Sequence, residues 1–243
     1  MKPELPSATI AEENGLRTLH LGDTPWVQGA MLLREPRTIV LEYVQRMMAW
    51  MLWRDCSELA RGHAVQLGLG AGAITRFCHQ VLRMEHITAV ELNPAVIAAC
   101  RHGFRLPADD VRLRVIECDA DAWVTDDDHL QSAQVLNVDL YDHEAAAPVL
   151  DSERFYAGCR GVLDQLFLIT FGTGFRGRSS LANVSATIGG TNANVSFAGA
   201  HSSLIGVDQA NILIPRSVAG RGSIDVVLAA DKKPTNTVSI NVK

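Results

Sequence analysis

Apolar and polar positions in the first two-thirds of the chain switch repeatedly between two periods. Residues 7–33 hold short alternating segments, RTLHL and WVQGAML, which predict a small N-terminal β-meander. From Pro36 through Trp53, Val40, Tyr43, Val44, Met47, Met48, Met51 and Leu52 make a broad apolar stripe at helical spacing. A helix opened by the proline is expected there. HAVQLGL then reads as a strand, AITRFCHQVLR as a helix, HITAVEL as a strand and PAVIAACRHG as a helix. LRVIEC and AQVLNVDL continue as strands, and SERFYAGCRGVL as a helix. Near-continuous apolar strands alternating with amphipathic helices are the pattern of a parallel sheet covered on both faces.

The pattern changes near residue 164. Runs such as ANVSATIGG, ANVSFAGA, QANILIP, SIDVVLAAD and TNTVSINVK are short, β-branched and punctuated by Gly, Pro or Asn, with no helical period. They predict a small antiparallel sandwich. All five Cys, all four Trp, all six Met and all three Tyr precede the change, which is how a domain boundary looks in one sequence. The expected organisation is therefore a β-meander over 1–35, an α/β domain over 36–163 and a β-sandwich over 164–243. Residues 165–171, QLFLITF, fit two roles: a fifth strand of the parallel sheet or the first strand of the sandwich.

Charge and composition narrow the function classes. A net charge of −5 without a Lys/Arg cluster argues against nucleic acid, whose phosphates demand a basic face. No apolar stretch is long enough to span a bilayer, and residues 1–20 lack a basic start followed by an apolar run, so the expected location is the cytoplasm. Cys56, Cys78, Cys100, Cys118 and Cys159 are odd in number and show no CxxC spacing. They read as buried reduced thiols, with neither a disulfide framework nor a metal site.

The candidate chemistry sits at strand ends. Leu67-Gly68-Leu69-Gly70-Ala71-Gly72 follows a strand and opens a helix, where glycines admit a close ligand and the helix start offers N–H donors. Such a run alone is equally a tight packing turn. The next strand ends in Glu91, placed to accept ribose hydroxyls; the third in Cys118-Asp119-Ala120, where a carboxylate can meet an adenine amine; the fourth in Asp139. Carboxylates at successive strand ends converge on one crevice. The plainer alternative is that acids simply favour the first turn of the following helix. Asn93 is expected to cap the next helix, with Pro94 in its first turn.

VQLGLGAGAITRF, TAVELNPAVI, VIECDADAWV and QVLNVDLYDHEAAAPVLDSERFYAGCRGVL resemble, in order and spacing, successive motifs of the spermidine synthase family over about residues 25–163. The resemblance implies a methyltransferase-type Rossmann-like sheet that binds decarboxylated S-adenosylmethionine and passes its aminopropyl group to a polyamine. It implies that Gly68, Leu69, Gly70, Gly72, Glu91, Leu92, Asp119 and Ala120 hold the nucleoside. Asp139 matches the position of the base, and Asp142 the second carboxylate of a short acidic motif, beside His143 and Glu144. A homodimer is common in that family. The glycine, Glu and Asp-Ala elements are shared with S-adenosylmethionine methyltransferases, whereas VDLYD followed by DSERFY is more specific.

Two departures bear on substrate. Members usually carry an Asp in the glycine loop to contact the aminopropyl nitrogen, and here the position is Ala71. The helix that usually offers a Tyr-x-Glu contact reads Glu42-Tyr43-Val44-Gln45-Arg46, leaving Gln28, Tyr43 and Tyr141 as candidate substrate contacts. Residues 166–243 resemble an immunoglobulin-like C-terminal module of bacterial secreted or surface proteins, through TFGTGFRGRSSLANVSATIGG, VSFAGA, GVDQANILIPRSVAGRG, IDVVL and NTVSINVK. The two resemblances together read as a fusion joined near Leu163–Leu166, with the α/β domain truncated. Three functions stay open: aminopropyl transfer, methyl transfer from intact S-adenosylmethionine (which Ala71 permits), and a non-catalytic fusion whose sandwich serves adhesion or display.

Overall fold

The structure, a computed structural model, describes residues 5–52, 59–141, 147–201 and 205–242. The chain divides into two compact units, Met1–Asp164 and Gln165–Lys243. In the first, β1 (Ala8–Glu13) and β2 (Leu16–Leu21) pair antiparallel across Asn14-Gly15. Both turn residues have positive φ, 50° and 79°, the geometry for which Asn-Gly is preferred in a two-residue hairpin. β3 (Gly29–Leu32) adds to β2, and Leu19 and Met31 are buried beneath this meander. The third strand is shorter than WVQGAML implied: Trp26, Val27 and Gln28 lie outside it.

The helix expected from Pro36 begins later. Residues 36–41 are irregular, α1 covers Glu42–Met47, and a 3-10 turn follows over Met48–Leu52. The Thr38-Ile39-Val40 run is β-branched and resists helix, and the Thr38 N–H closes a turn on the Glu35 carbonyl instead. The apolar stripe still faces inward through Val44 and Met48.

A four-stranded parallel sheet follows, ordered β6-β5-β4-β7: β4 (His63–Leu67), β5 (His86–Glu91), β6 (Leu113–Glu117) and β7 (Val135–Val138). Between them run α2 (Ala73–Gln80), α3 (Pro94–Gly103) and a short α4 (Ala120–Val124), and α5 (Glu153–Val162) comes last. The period-2 alternation of strand side chains divides the core into two layers. Ala64, Ile87, Leu113 and Val135 join the core of α1 and α2, and Ala89 that of α3. Val65, Leu67 and Val90 pack on the other face with Trp123, Phe155 and Val162 of α4 and α5. Asn93 caps α3 by accepting the Ala95 N–H at 2.9 Å, and Ser152 caps α5. Because β4 lies between β5 and β7, the chain reverses direction across the sheet there, and the crevice at the carboxyl ends opens at that point.

The second unit is all-β. β9 (Val184–Ile188), β10 (Thr191–Ala193), β13 (Gly222–Ala230), β14 (Lys233–Pro234) and β15 (Val238–Val242) form one antiparallel sheet. β8 (Phe167–Gly172), β11 (Val195–Ala200) and β12 (Asp208–Leu213) form another. Both sheets contribute to one core that includes Ile188, Ala198, Ile212 and Val226. β8 pairs antiparallel with β12 from Phe167↔Leu213 to Gly172↔Asp208. QLFLITF therefore belongs to this unit and is not a fifth strand of the parallel sheet. Among the described residues, no helix is long and apolar enough to cross a membrane.

Candidate active site

A cleft of about 630 Å³ opens at the carboxyl ends of the parallel strands. Its walls are mostly apolar, with Leu19, Leu21, Val90, Val96 and Val149 among them, and its polar groups are few, the usual make-up of a small-molecule site. Gln28, Tyr43, Gly68, Gly70, Glu91, Leu92, Asp119, Ala120, Asp139 and Tyr141 all line it. The strand-end carboxylates singled out from the sequence thus meet in one cavity.

The glycine loop is shaped by close approach as well as by φ. Gly68 has φ +85°, and a Cβ there would overlap the Asp139 carbonyl oxygen and lie 2.9 Å from its carbon. Gly70 has φ +50°, with a Cβ position 2.9 Å from the Gln28 carbonyl oxygen. Two expected ligand residues do not reach the cleft. Leu69 turns its side chain into the core, 1% exposed, and engages the site only through its N–H. Gly72 takes the N-cap of α2 at φ +69° and backs onto Leu106 and Arg76. The helix needs a left-handed residue to start here, so this glycine answers a backbone demand.

Glu91 accepts the Leu69 N–H at 2.9 Å on one oxygen and the Asn93 N–H at 2.8 Å on the other. It thereby ties β5 to the glycine loop, and the carboxylate keeps lone-pair capacity for a ligand hydroxyl. Burial pushes its pKa up, and the backbone N–H bonds from Leu69, Asn93 and Leu92 oppose that push. Asp119 is exposed and caps α4 through Oδ1, which accepts the Ala122 N–H at 3.0 Å. The capping alternative is thus observed at Asp119, on a residue that also lines the cleft.

Asp139 is half-buried at the end of β7, and the Tyr43 hydroxyl donates to its Oδ2 at 3.3 Å. Burial raises the pKa of Asp139, with the Tyr43 hydrogen bond pulling the other way. Tyr43 is itself pushed up, first by burial and then by the Asp139 charge, so it stays protonated and donating. A carboxylate with raised basicity in an apolar cleft is suited to take a proton. Asp142, with His143 and Glu144, lies outside the described residues.

Beyond the apolar wall residues, the lining that the sequence did not point to includes Trp26, 64% exposed, Asn93 and Cys118. Trp26 opens the WVQGAML segment, whose alternation reads as strand, so its sequence context does not mark it as a cleft residue. The sequence reads Cys118 as a buried thiol. It is partly exposed, whereas Cys78, Cys100 and Cys159 are buried as expected, and Cys56 lies outside the described residues.

Comparison with known proteins places this geometry among relatives. The chain is 35% identical over 175 residues to the polyamine aminopropyltransferase of Neisseria meningitidis, covering 71% of this chain and 64% of that protein. It is 33% identical over 159 residues to the polyamine aminopropyltransferase of Chromobacterium violaceum, covering 65% and 58%. A crystal structure of a probable spermidine synthase from Corynebacterium glutamicum superposes with a TM-score of 0.54 at 16% identity, over 85% of this chain and 75% of that one. At that identity the superposition speaks for the fold alone. No family model matches the sequence. The chain spans less than two-thirds of the length of these curated relatives; over that span it is similar in sequence to polyamine aminopropyltransferases, and its parallel sheet with flanking helices is Rossmann-like.

Proposed function

We propose that the first unit binds decarboxylated S-adenosylmethionine and transfers its aminopropyl group to an amine acceptor of the polyamine class. The observation that carries this reading is the Tyr43–Asp139 pair, which shares one cleft with Gly68, Gly70, Glu91 and Asp119. In this reading Glu91 receives the ribose hydroxyls, and Asp119 and the Ala120 backbone meet the adenine, with Leu92 beside them. Gln28, Tyr43 and Tyr141 face the amine.

The chemistry balances through Asp139. The neutral acceptor nitrogen attacks the aminopropyl carbon bonded to the sulfonium. A C–N bond forms as the C–S bond breaks, and its electron pair returns to sulfur to give methylthioadenosine. The nitrogen's proton passes to the Asp139 carboxylate, which Tyr43 holds in place. Approach in line within the cleft supplies the orientation part of the acceleration, and Asp142 is proposed as a second grip on the ammonium.

A second reading, methyl transfer from intact S-adenosylmethionine, is favoured by Ala71, which stands where the resembled family has a carboxylate and is 2% exposed. Calorimetric titration with the decarboxylated nucleoside, with S-adenosylmethionine and with methylthioadenosine separates the two. Tighter binding of the decarboxylated form supports aminopropyl transfer, and tighter binding of the intact form supports methylation. Binding of none removes both and leaves a non-catalytic role. For the second unit we propose an immunoglobulin-like module for adhesion or display, supported by its two antiparallel sheets around one core. A homodimer is the proposed assembly, checked by light scattering.

A further inference from the structure

Among the described residues, the most deeply buried cation of the first unit lies behind the glycine loop. Arg76 on α2 is 1% exposed. Its Nε donates to the Pro36 carbonyl at 3.1 Å and its Nη1 to the Ala71 carbonyl. Among the described residues its Nη2 has no hydrogen-bond partner and no ion pair involves it. Burial lowers its pKa to about 10, so the guanidinium remains charged at neutral pH. A buried charge without a counter-ion is costly, and stability alone gives no reason to place one here.

Its two acceptors supply the reason. Ala71 belongs to the glycine loop, whose neighbour Gly70 lines the cleft. Pro36 belongs to the irregular segment that leads into α1, which carries Tyr43. One rigid planar fork therefore fastens the nucleoside-facing loop to the entry of the helix facing the amine. Cys100 adds to the same clamp from α3, its Sγ donating to the Gly70 carbonyl at 3.0 Å, while Glu91 holds the Leu69 N–H. Three successive loop residues are thus fixed by side chains from α2, α3 and β5.

We infer that Arg76 is a positioning residue for nucleoside binding, acting through the Ala71 and Pro36 carbonyls that it bridges. The inference rests on the nucleoside reading of the cleft. Lysine at this position keeps the charge but presents a single ammonium in place of a rigid fork, and methionine keeps the volume but donates nothing.

The test uses the full chain and methylthioadenosine as probe, with affinity read by calorimetry at 10 °C and stability by thermal melting of the same samples. Arg76→Met is expected to weaken binding about tenfold while the protein stays folded at the assay temperature, and Arg76→Lys to fall between it and wild type. A purely structural role predicts instead that affinity falls only with the fraction unfolded. Wild-type affinity in either folded variant, loss explained wholly by unfolding, or failure of both variants to fold overturns the inference. Failure of the wild-type chain to bind the probe overturns the nucleoside reading itself, which keeps the two outcomes apart.

Discussion

Replacing Gly68 by alanine tests the close approach on which the cleft depends. Two costs follow from its position. At φ +85° an L-residue sits in the left-handed region, worth about 1–2 kcal/mol. The added Cβ also overlaps the Asp139 carbonyl, which is backbone and cannot swing aside as a side chain does; forced shifts of this kind cost about 1–3 kcal/mol. The sum is roughly 2–5 kcal/mol. For a unit of this size that lowers the melting midpoint by roughly 4–20 °C. Gly15→Ala is the internal control, because Gly15 has φ +79° and nothing within 4 Å of its Cβ position, leaving the conformational cost alone. All four tryptophans precede residue 165, so tryptophan fluorescence during urea or thermal unfolding reports the first unit. Equal destabilisation by the two substitutions refutes the close approach of Gly68 to Asp139.

Other predictions follow from the same geometry. Asp139→Asn is expected to lower the transfer rate at least about 10²-fold with nucleoside affinity nearly unchanged in calorimetry; equal loss of both contradicts the base assignment. Because burial raises Asp139, the acid limb of kcat/KM should lie above the ordinary carboxylate range. Tyr43→Phe removes the hydrogen bond that favours the carboxylate, so it should move that limb to still higher pH, as a pH–rate profile reads directly. Asp110 accepts from the His79 ring and from the Arg112 and Leu113 N–H groups, which hold its carboxyl at about 2 against 3.8 unfolded. Its stabilising effect is present above about pH 4 and lost as pH falls toward 2. Asp110→Asn should therefore flatten the dependence of the melting midpoint on pH in that window.

Local pattern determined much of this protein. The Asn93 cap and the alternation of apolar strands with helices are short-range consequences of residue type, and they stand where the chain pattern put them; the Asn14-Gly15 hairpin and the Ser152 cap, seen in the structure, are of the same local kind. The strand-end positions of Glu91, Asp119 and Asp139 were equally legible, since each closes an apolar run before a helix. Long-range contacts decided the rest. QLFLITF is apolar enough for either sheet, and only its pairing with β12 assigns it. The stripe after Pro36 has helical period, yet its β-branched start and the reach of Arg76 to the Pro36 carbonyl leave that segment irregular. Gly68, Gly70 and Gly72 look alike in sequence, but what each backs onto separates the two that line the cleft from the one that starts a helix. Trp26 lies in the wall of the cleft, outside β3, which begins only at Gly29, and Tyr43 met Asp139 across 96 positions of sequence. Residue type and spacing encode the local geometry; which side chain meets which across the cleft is set by how the layers pack.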